Sequence, residues 1–441
     1  MKNLLRKLIP NFIFSLYHWK LAYLGAILYG FPSRKLTVIG VTGTKGKTTT
    51  CNLIAQILNE AGFKTGLATT VNFRIGDKEW INEYKQTMLG RFRLQKLLRQ
   101  MVREGCKYAV IETSSEGILQ YRHKGIKYSV AVFTNLSPEH IERHGNFENY
   151  RSAKLKLCEA VAKKRDGIGI YNLDDANVDY FLKCDINNKI GFGTRNKYQL
   201  ANFNKISGIE LFADKTEFLI NNDKFEMPLI GEFNVYNAAA AICVAGLQGI
   251  GMGKIKEILR NAKPTPGRLE VVNAGQPFTV IVDYAHEPAS LEAVYKTLRI
   301  FNPHTSRGEG VNPRKIIALL GAQGGGRDKR KRPELGRIAG EYADTIIVTN
   351  EDPYDENPQQ IIDDVKQGIT PRPPAGGSGQ NLFEILDRRE AIKKALSLAE
   401  PGDIVILTGK GGEVWMCGPN GEKIPWNERE VVEEELGRLQ S

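Results

Sequence analysis

The sequence predicts an α/β protein, with two α/β domains behind a short apolar N-terminal segment. A short β-branched run at residues 36–41 leads into a glycine loop, and helical spacing follows over residues 47–61. This order of strand, loop and helix begins a doubly wound α/β unit. A second series of apolar runs begins after a stiff stretch rich in proline and glycine, residues 263–267. The predicted divisions are residues 1–36, 37–266 and 267–441.

Bulk composition sets wide limits on the partners of this protein. The chain has 441 residues, of which 41% are hydrophobic and 25% charged, with a net charge of +11. That length is enough for two or three domains. The positive charge suits an acidic partner such as a nucleotide, a phosphate or an anionic membrane, or it is a solvated basic surface. Because the basic residues are dispersed and form no tail, we expect no nucleic-acid partner.

The six cysteines form no metal-binding or redox motif. No two of them have the C-x-x-C spacing of a zinc knuckle or redox pair. We expect free thiols and a reducing, cytoplasmic location.

The first 31 residues are apolar behind a basic start. The uninterrupted apolar stretch, residues 21–31, is too short to span a bilayer comfortably. No small-residue cleavage site follows, which argues against a signal peptide. Trp19 and three tyrosines would suit a peripheral contact with the inner membrane face. The alternative is a helix packed on the domain behind it.

Within the central domain, two further buried strands are predicted at residues 108–111 and 130–133. Both end in polar residues, as expected where parallel strands meet an active-site crevice. Short alternating runs over residues 206–229 predict a hairpin around Asn221-Asn222-Asp223, and helical spacing returns at residues 234–247.

The C-terminal domain repeats the α/β pattern and is predicted to be Rossmann-like. Its predicted strands are residues 278–282, 315–320, 345–349 and 403–407. Residues 371–380 are rich in proline and glycine and predict a mobile loop.

The strongest local signal is the glycine loop Gly40-Val-Thr-Gly-Thr-Lys-Gly-Lys-Thr48. Such glycines let backbone N–H groups surround phosphate oxygens, and the following helix adds its dipole. Lys47 would bind the β- and γ-phosphates of ATP and Thr48 would hold Mg²⁺. The predicted nucleotide contacts are Gly43, Thr44, Lys45, Gly46, Lys47, Thr48 and Thr49.

The spacing of the three glycines before Lys-Thr-Thr resembles the Mur ligase and folylpolyglutamate synthase superfamily. The resemblance implies an ATP-dependent ligase that joins a carboxylate to an amine through an acyl-phosphate. Further motifs follow in family order over most of residues 37–441, which is more specific than any one of them.

Three of these motifs imply catalytic and metal-binding residues. In Ile-Glu-Thr-Ser-Ser, Glu112 would bind a second Mg²⁺. In Thr-Asn-Leu-Ser-Pro-Glu-His, His140 would be the metal-site histidine, with Glu139 where aspartate is usual. In Tyr-Arg-Ser-Ala-Lys, Lys154 would be carbamylated and would hold Mg²⁺; the bare sequence does not separate it from Lys156.

Other motifs imply further nucleotide contacts. Asn234, in Gly-Glu-Phe-Asn-Val-Tyr-Asn, would contact the adenine. Arg268 and Asp283, in Gly-Arg-Leu-Glu and Asp-Tyr-Ala-His-Glu-Pro, would close over ATP. The basic loop at residues 324–332 could hold a carboxylate or phosphate, or be a solvated loop.

The similarity is greatest to ligases that add the third residue of the peptidoglycan stem peptide. It implies a muramoyl-peptide acceptor and a free amino acid as substrates. The residues matching substrate contacts are Thr87, Ser115, Gln120, Arg122, Asp352 and Glu413.

Two departures from the family pattern affect the substrates. Tyr354 stands where diaminopimelate-adding members have an arginine that clamps a carboxylate, so a diamino acid is expected but which one is open. Gly412 replaces a usual histidine. Since only about 36 residues precede the first predicted strand, we expect the family's UDP-binding domain to be missing and the acceptor to be UDP-linked or lipid-linked. The alternatives are a folylpolyglutamate synthase-like ligase and a non-catalytic membrane-surface scaffold.

Overall fold

The computed structural model describes residues 11–84, 86–139, 141–212, 214–300, 315–370 and 380–440. The chain folds into two compact units. One comprises Met1–Glu210 with Asp214–Lys263, and the other comprises Pro264–Ser441 with Leu211–Ala213.

Both units alternate strands with helices. The helices are α1 Asn11–Leu28, α2 Lys47–Glu60, α3 Arg91–Arg103, α4 Ser115–Leu119, α5 Ile141–His144, α6 Phe147–Ala162, α7 Val178–Leu182, α8 Glu232–Leu247, α9 Met252–Arg260, α10 Pro288–Ile300, α11 Lys331–Tyr342, α12 Pro358–Lys366, α13 Arg388–Ser397 and α14 Glu428–Gln440. The strands are β1 Thr37–Thr42, β2 Thr65–Ala68, β3 Asn72–Ile75, β4 Lys78–Ile81, β5 Tyr108–Glu112, β6 Tyr128–Phe133, β7 Ile168–Asn172, β8 Asn188–Gly193, β9 Asn202–Leu211, β10 Thr216–Ile220, β11 Asp223–Met227, β12 Glu270–Val272, β13 Thr279–Val282, β14 Ile316–Leu320, β15 Thr345–Val348, β16 Asn381–Glu384, β17 Ile404–Leu407, β18 Trp415–Cys417 and β19 Lys423–Pro425.

The described part of the first unit is built on a sheet of order β11-β10-β9-β8-β7-β6-β1-β5-β2-β3-β4. Strand β1 lies between β5 and β6 and is parallel to both. In this register Val41 pairs with Glu112 and Thr42 with Phe133, so the carboxyl ends of all three strands meet at one edge. That edge is where an α/β sheet binds its ligands.

The second unit has its own sheet, of order β12-β13-β17-β14-β15-β16 within the described residues. Its strands are parallel except for β12, which runs antiparallel to β13. Fully buried β-branched and leucine side chains of β13, β14, β15 and β17 form the core of this unit. Such continuous apolar runs are typical of parallel strands covered on both faces.

The predicted α/β fold class is confirmed. The predicted strands and the helix after the glycine loop are present with ends shifted by one or two residues. The hairpin is also present, as β10 and β11, and its turn residues Asn221 and Asn222 have positive φ angles of 51° and 72°. The strands that were not predicted are β2, β3, β4, β7, β8, β12, β16, β18 and β19. The mobile-loop prediction falls outside the described residues except for Gln380.

Helix α1 packs on the first unit, as one of the two interpretations of the N-terminal segment predicted. Ala22 and Ala26 are buried, and an added Cβ at Gly25 would lie 3.5 Å from the backbone carbonyl of Arg91 in α3. No helix in the described ranges is both long enough and apolar enough to cross a membrane.

All six cysteines are buried free thiols, as expected from their spacing. Cys51, Cys106, Cys158, Cys184 and Cys243 belong to the first unit and Cys417 to the second.

Candidate active site

The glycine loop joins β1 to α2 at the carboxyl edge of the sheet. Gly46 precedes the first helical residue with φ 76°, a left-handed conformation that favours glycine. An added Cβ at Gly46 would also overlap the side-chain oxygen of Asn237. Both the backbone conformation and the close contact therefore require glycine at this position. Lys47 begins α2, and its Nζ donates to the carbonyl of Thr44 at 2.8 Å. Thr48 and Thr49 lie in the first turn and are buried.

The segment after β6 fixes the loop from the other side. The Asn135 side chain accepts from the backbone N–H of Lys45 at 2.8 Å, and its carbonyl accepts from that of Thr44. The hydroxyl of Thr134 donates to the Lys45 carbonyl at 2.8 Å. These contacts hold the loop in one conformation before any ligand binds.

Glu112 lies beside the loop at the end of β5. Its Oε2 accepts from the hydroxyl of Thr48 at 3.0 Å, and from the N–H and hydroxyl of Thr70 at 2.8 and 3.0 Å. The side chain is 2% exposed. A carboxylate and two hydroxyls supply the hard oxygen ligands that Mg²⁺ prefers, so these residues fit the ion.

Lys154 projects from α6 to the back of the same loop. Its Nζ donates to the carbonyl of Gly43 and lies 4.5 Å from the ring centroid of Tyr150. Burial lowers the pKa of Lys154 well below 10.5, and the nearby positive charge of Lys47 lowers it further. The amine is therefore held in an environment that favours its neutral, nucleophilic form.

Of the two candidate lysines in this motif, Lys154 is the one at the loop. Lys156 is only partly buried, whereas Lys154 is 1% exposed.

His140 lies outside the residues that the structure describes. Beside it, Glu139 accepts from the Nζ of Lys45 at 2.9 Å, which joins the two motifs through an ion pair. Within the described ranges no three His, Cys, Asp or Glu side chains form a metal-binding group.

Three of the four residues predicted to bind the acceptor are linked by hydrogen bonds or lie next to linked residues. The guanidinium of Arg122 donates from Nη2 to the side-chain oxygen of Gln120 at 2.7 Å, and from Nη1 to the carbonyl of Met88. Thr87 immediately precedes Met88 and is partly exposed. Ser115 instead lies 3.1 Å from Nε2 of His144, at the start of α4.

Asn234 is buried and its amide makes two contacts at the start of α8. Its Nδ2 donates to the Ile230 carbonyl, and its Oδ1 accepts from Asn237, both at 2.9 Å. Asn237 also accepts from Thr50 in α2 at 3.1 Å, so the asparagine pair connects α8 to the helix that follows the loop.

In the second unit, Asp283 holds the turn that carries Arg268. Its carboxylate accepts from the N–H groups of Leu269 and Ala285, both at 2.7 Å. The guanidinium carbon of Arg268 lies 4.4 Å from the ring centroid of Tyr284, and its buried Nε has no hydrogen-bond partner. Asp283 thus positions the turn in which Arg268 lies.

Asp352 and Glu413 are brought together by a buried cation that sequence reasoning did not single out. The Nζ of Lys410 donates to Asp352 at 2.9 Å and to Glu413 at 2.8 Å. The hydroxyl of Tyr284 donates to the other oxygen of Glu413 at 3.2 Å. Tyr354 lies next to this group in the chain, and its N–H donates to the Cys417 carbonyl.

The departure at Gly412 has a steric cause. An added Cβ there would lie 2.8 Å from the Pro266 carbonyl, too close for any side chain without a backbone shift. A histidine could not replace Gly412 in this backbone.

In the basic loop, Arg332 is engaged inside the protein. It is fully buried and paired with Asp364 and Glu356, both at 2.9 Å. Arg332 therefore does not support the interpretation that this loop binds a carboxylate or phosphate ligand.

Comparisons with known proteins agree with this geometry. Residues 41–245 match the Mur ligase middle domain and residues 267–411 the Mur ligase, glutamate ligase domain. A UDP-N-acetylmuramoyl-L-alanyl-D-glutamate--2,6-diaminopimelate ligase of Aquifex aeolicus is 38% identical over 409 residues, which cover 93% of this chain and 79% of the relative. The chain belongs to the Mur ligase family.

Solved structures of Mur ligases share the fold. A structure of another ligase with the same name as the Aquifex protein is 30% identical, with a TM-score of 0.62, over 92% of this chain and 79% of that one. A folylpolyglutamate synthase of Mycobacterium tuberculosis has a TM-score of 0.69 over 96% and 94% of the two chains, but at 16% identity it shows only the fold.

As a Mur ligase, the protein is an ATP-dependent amide-bond ligase, and the predicted resemblance is confirmed. Only the shared fold supports the alternative of a folylpolyglutamate synthase-like ligase. Membership of a family of ligases argues against the alternative of a non-catalytic scaffold.

In each unit, sequence reasoning missed residues that contact the predicted site residues. Thr70 was missed because β2 was not predicted, so its place after a strand was not visible. Tyr150 lies four residues before Lys154, a spacing that puts both on one helix face and could have revealed it. Lys410 lies three residues before the predicted substrate residue Glu413, but only its burial explains its importance.

Proposed function

We propose that this ligase activates the terminal carboxylate of a muramoyl-peptide-type acceptor as an acyl-phosphate and joins it to a diamino acid. The proposal rests mainly on the hydrogen bond from the Thr48 hydroxyl to Glu112 beside a preformed phosphate loop. It supports a triphosphate whose γ-phosphoryl group meets the acceptor at this edge of the sheet.

In the first step, an oxygen of the acceptor carboxylate forms a bond to the γ-phosphorus, and the bond to the leaving ADP oxygen breaks. Lys47 and the N–H groups of the loop stabilise the negative charge on the transferring group. Mg²⁺, when bound at Thr48 and Glu112, would neutralise phosphate charge. In the second step, the amine nitrogen attacks the acyl carbon, and inorganic phosphate leaves as the amine loses a proton.

We propose that Lys154 acts as a carbamate. Its buried position and lowered pKa favour the neutral amine that CO₂ requires. The neutral nitrogen would add to the carbon of CO₂ and lose one proton to solvent, which gives a carbamate anion able to bind Mg²⁺.

The proposal of a diamino acid rests on the surplus of acidic groups around Lys410. Asp352 and Glu413 share this one ammonium, and Glu351 is fully buried beside Asp352. Burial, with the charge of Asp352, raises the pKa of Glu351 to about 7. The Glu413 side chain is 15% exposed, so it is accessible to the second ammonium of a diamino acid.

A labelled acceptor provides the test. With ¹⁸O in the terminal carboxylate of the acceptor, one ¹⁸O should appear in the phosphate released during amide formation, because that oxygen bridges carbon and phosphorus in the acyl-phosphate. Release of unlabelled phosphate alone would contradict the mechanism. UDP-linked and lipid-linked acceptors are assayed in parallel, each with lysine, ornithine or diaminopimelate as the amine substrate.

Two variants control this assay. Lys47→Ala should abolish amine-dependent ADP release, since it removes the charge at the phosphates. Lys64→Ala changes an exposed lysine of the same unit and should leave it unchanged.

A further inference from the structure

Helix α1 presents an apolar face away from the unit on which it packs. Ala22 and Ala26 face the protein and are at most 1% exposed. The opposite face, at helical spacing, carries large apolar side chains that are 47–65% exposed. They are Leu16, Tyr17, Leu24, Ile27 and Leu28.

This pattern is the reverse of a normal surface helix, whose outward face is polar. Lys20 is the only Lys, Arg, Asp or Glu residue in α1. Lys20 is exposed and lies on this same face, four residues from both Leu16 and Leu24, so the face combines a cluster of large apolar side chains with one cation. A cluster of exposed large apolar side chains marks an interaction site.

On one side, the helix that packs against α1 is strongly basic. Helix α3 has the sequence RFRLQKLLRQMVR, with five cations and no acidic residue. Arg93, Lys96 and Arg103 are exposed.

The loop before β6 brings further cations to α1. An added Cβ at Gly125 would lie 2.8 Å from the Cβ of Ala26, so this loop touches the helix. Lys127 donates its N–H to Ser33, close to the exposed Arg34 and Lys35.

Next to this loop is a basic pocket of about 350 Å³. Its charged lining residues are Lys127, Lys163, Lys164, Arg165 and Asp166. Asp166 pairs with Lys164 at 3.0 Å, which leaves a surplus of positive charge. Lys124 lies in the loop beside this pocket, where burial lowers its pKa and the nearby charges of Lys163 and Lys156 lower it further.

We propose that the outer face of α1 and these flanking cations form a docking surface for an anionic phospholipid bilayer. The 18-residue helix would lie along the membrane, with its apolar side chains at the headgroup boundary and its aromatic residues at interfacial depth. Cations of α3 and of the basic pocket would reach lipid phosphates. The proposal does not depend on the ligase reaction.

Charge distinguishes this occupant from the alternatives. A second copy of the chain would bring the same cations against each other, which opposes self-association through this face. A nucleic acid would match the cations but not the leucine and isoleucine side chains.

The test is sedimentation of the full-length chain with vesicles. One set is pure phosphatidylcholine and the other contains roughly one part in four of phosphatidylglycerol, enough to create a negative surface. We expect binding to the anionic vesicles that weakens as salt is added. Ile27→Glu should reduce the affinity about tenfold or more, and Lys163→Glu about fivefold.

Ile424→Glu is the matched control, since Ile424 is 48% exposed but belongs to the second unit, and it should bind as the parent does. Circular dichroism checks that each variant is folded. Equal binding by Ile27→Glu, or no binding to anionic vesicles, would overturn the proposal. So would a dimer in solution that Ile27→Glu dissociates. Ligation of a water-soluble acceptor, measured separately, keeps a failure here distinct from a failure of the proposed reaction.

Discussion

The Nζ of Lys154 donates a hydrogen bond to the backbone carbonyl of Gly43, which ties helix α6 to the phosphate loop. A buried amine thus lies directly behind the loop predicted to hold ATP. Its protonation affects both the stability of the fold and the charge available to the site.

Replacing Lys154 with methionine should change how stability depends on pH. Because burial lowers the folded-state pKa below 10.5, the unfolded chain binds more protons between the two values. The parent should therefore gain stability as pH rises through this window, and Lys154→Met should lose that gain. Urea unfolding at several pH values measures it.

Lys64→Met is the control, since Lys64 is exposed. An unchanged pH slope in Lys154→Met would show that the amine is not held neutral. The same Lys154 variant should lose ligase activity by about a hundredfold or more, because methionine cannot form the proposed carbamate anion at the phosphoryl site.

Glu112→Gln should raise the Mg²⁺ concentration needed for half-maximal activity by about tenfold or more, because an amide is a poor ligand for a hard cation. The similar shape should preserve the contacts with Thr70. A magnesium titration of ADP release measures this. Glu104→Gln, at an exposed site, should behave like the parent, and a normal titration in Glu112→Gln would remove Glu112 from the metal site.

Tyr354→Arg should favour an amino acid with a second carboxylate. An arginine can bind that carboxylate through two parallel hydrogen bonds, which tyrosine cannot make. We expect the ratio of kcat/KM for diaminopimelate over lysine to rise by about tenfold. The parent φ of 52° is equally unusual for both side chains, so no added backbone strain is expected. Tyr354→Gln should leave the ratio low; an unchanged ratio in Tyr354→Arg would place the distal carboxylate elsewhere.

Glu428→Gln should destabilise the second unit by about 3 kcal/mol, because it leaves the charge of a buried arginine without its partner. Glu428 and Arg388 are both completely buried, and Trp426 also donates to Glu428. Denaturant unfolding measures the loss. The exposed pair Lys254–Glu257 is the comparison, and Glu257→Gln should have little effect. Equal effects of the two substitutions would contradict this account.

The sequence predicted the long periodic elements well. The β1–α2 unit and the C-terminal strands were visible because fully buried parallel strands are continuous apolar runs. Strand β2 was missed because its four residues, Thr-Gly-Leu-Ala, carry too weak a pattern. Strands β7 and β8 contain glycines that break the apolar run, and only their pairing in the sheet reveals them.

The site residues were predictable where the sequence motif itself indicates the role of each residue. The placement of Thr48 beside Glu112 follows from strand order, since Glu112 ends β5 and Thr48 comes after the neighbouring strand β1. The roles of Asp283 and Lys410 could not be predicted, because they depend on tertiary contacts: one holds a turn and the other joins two carboxylates from separate loops.

The buried thiols provide native reporters of opening in each unit. Cys51 lies in the helix that starts at the phosphate loop, and Cys417 lies in the other unit beside the proposed amino-acid site. An alkylating reagent reaches either sulfur only after its surroundings open. Pulsed alkylation followed by peptide mass analysis would therefore time the opening of the two units separately, with and without nucleotide, in the unaltered protein.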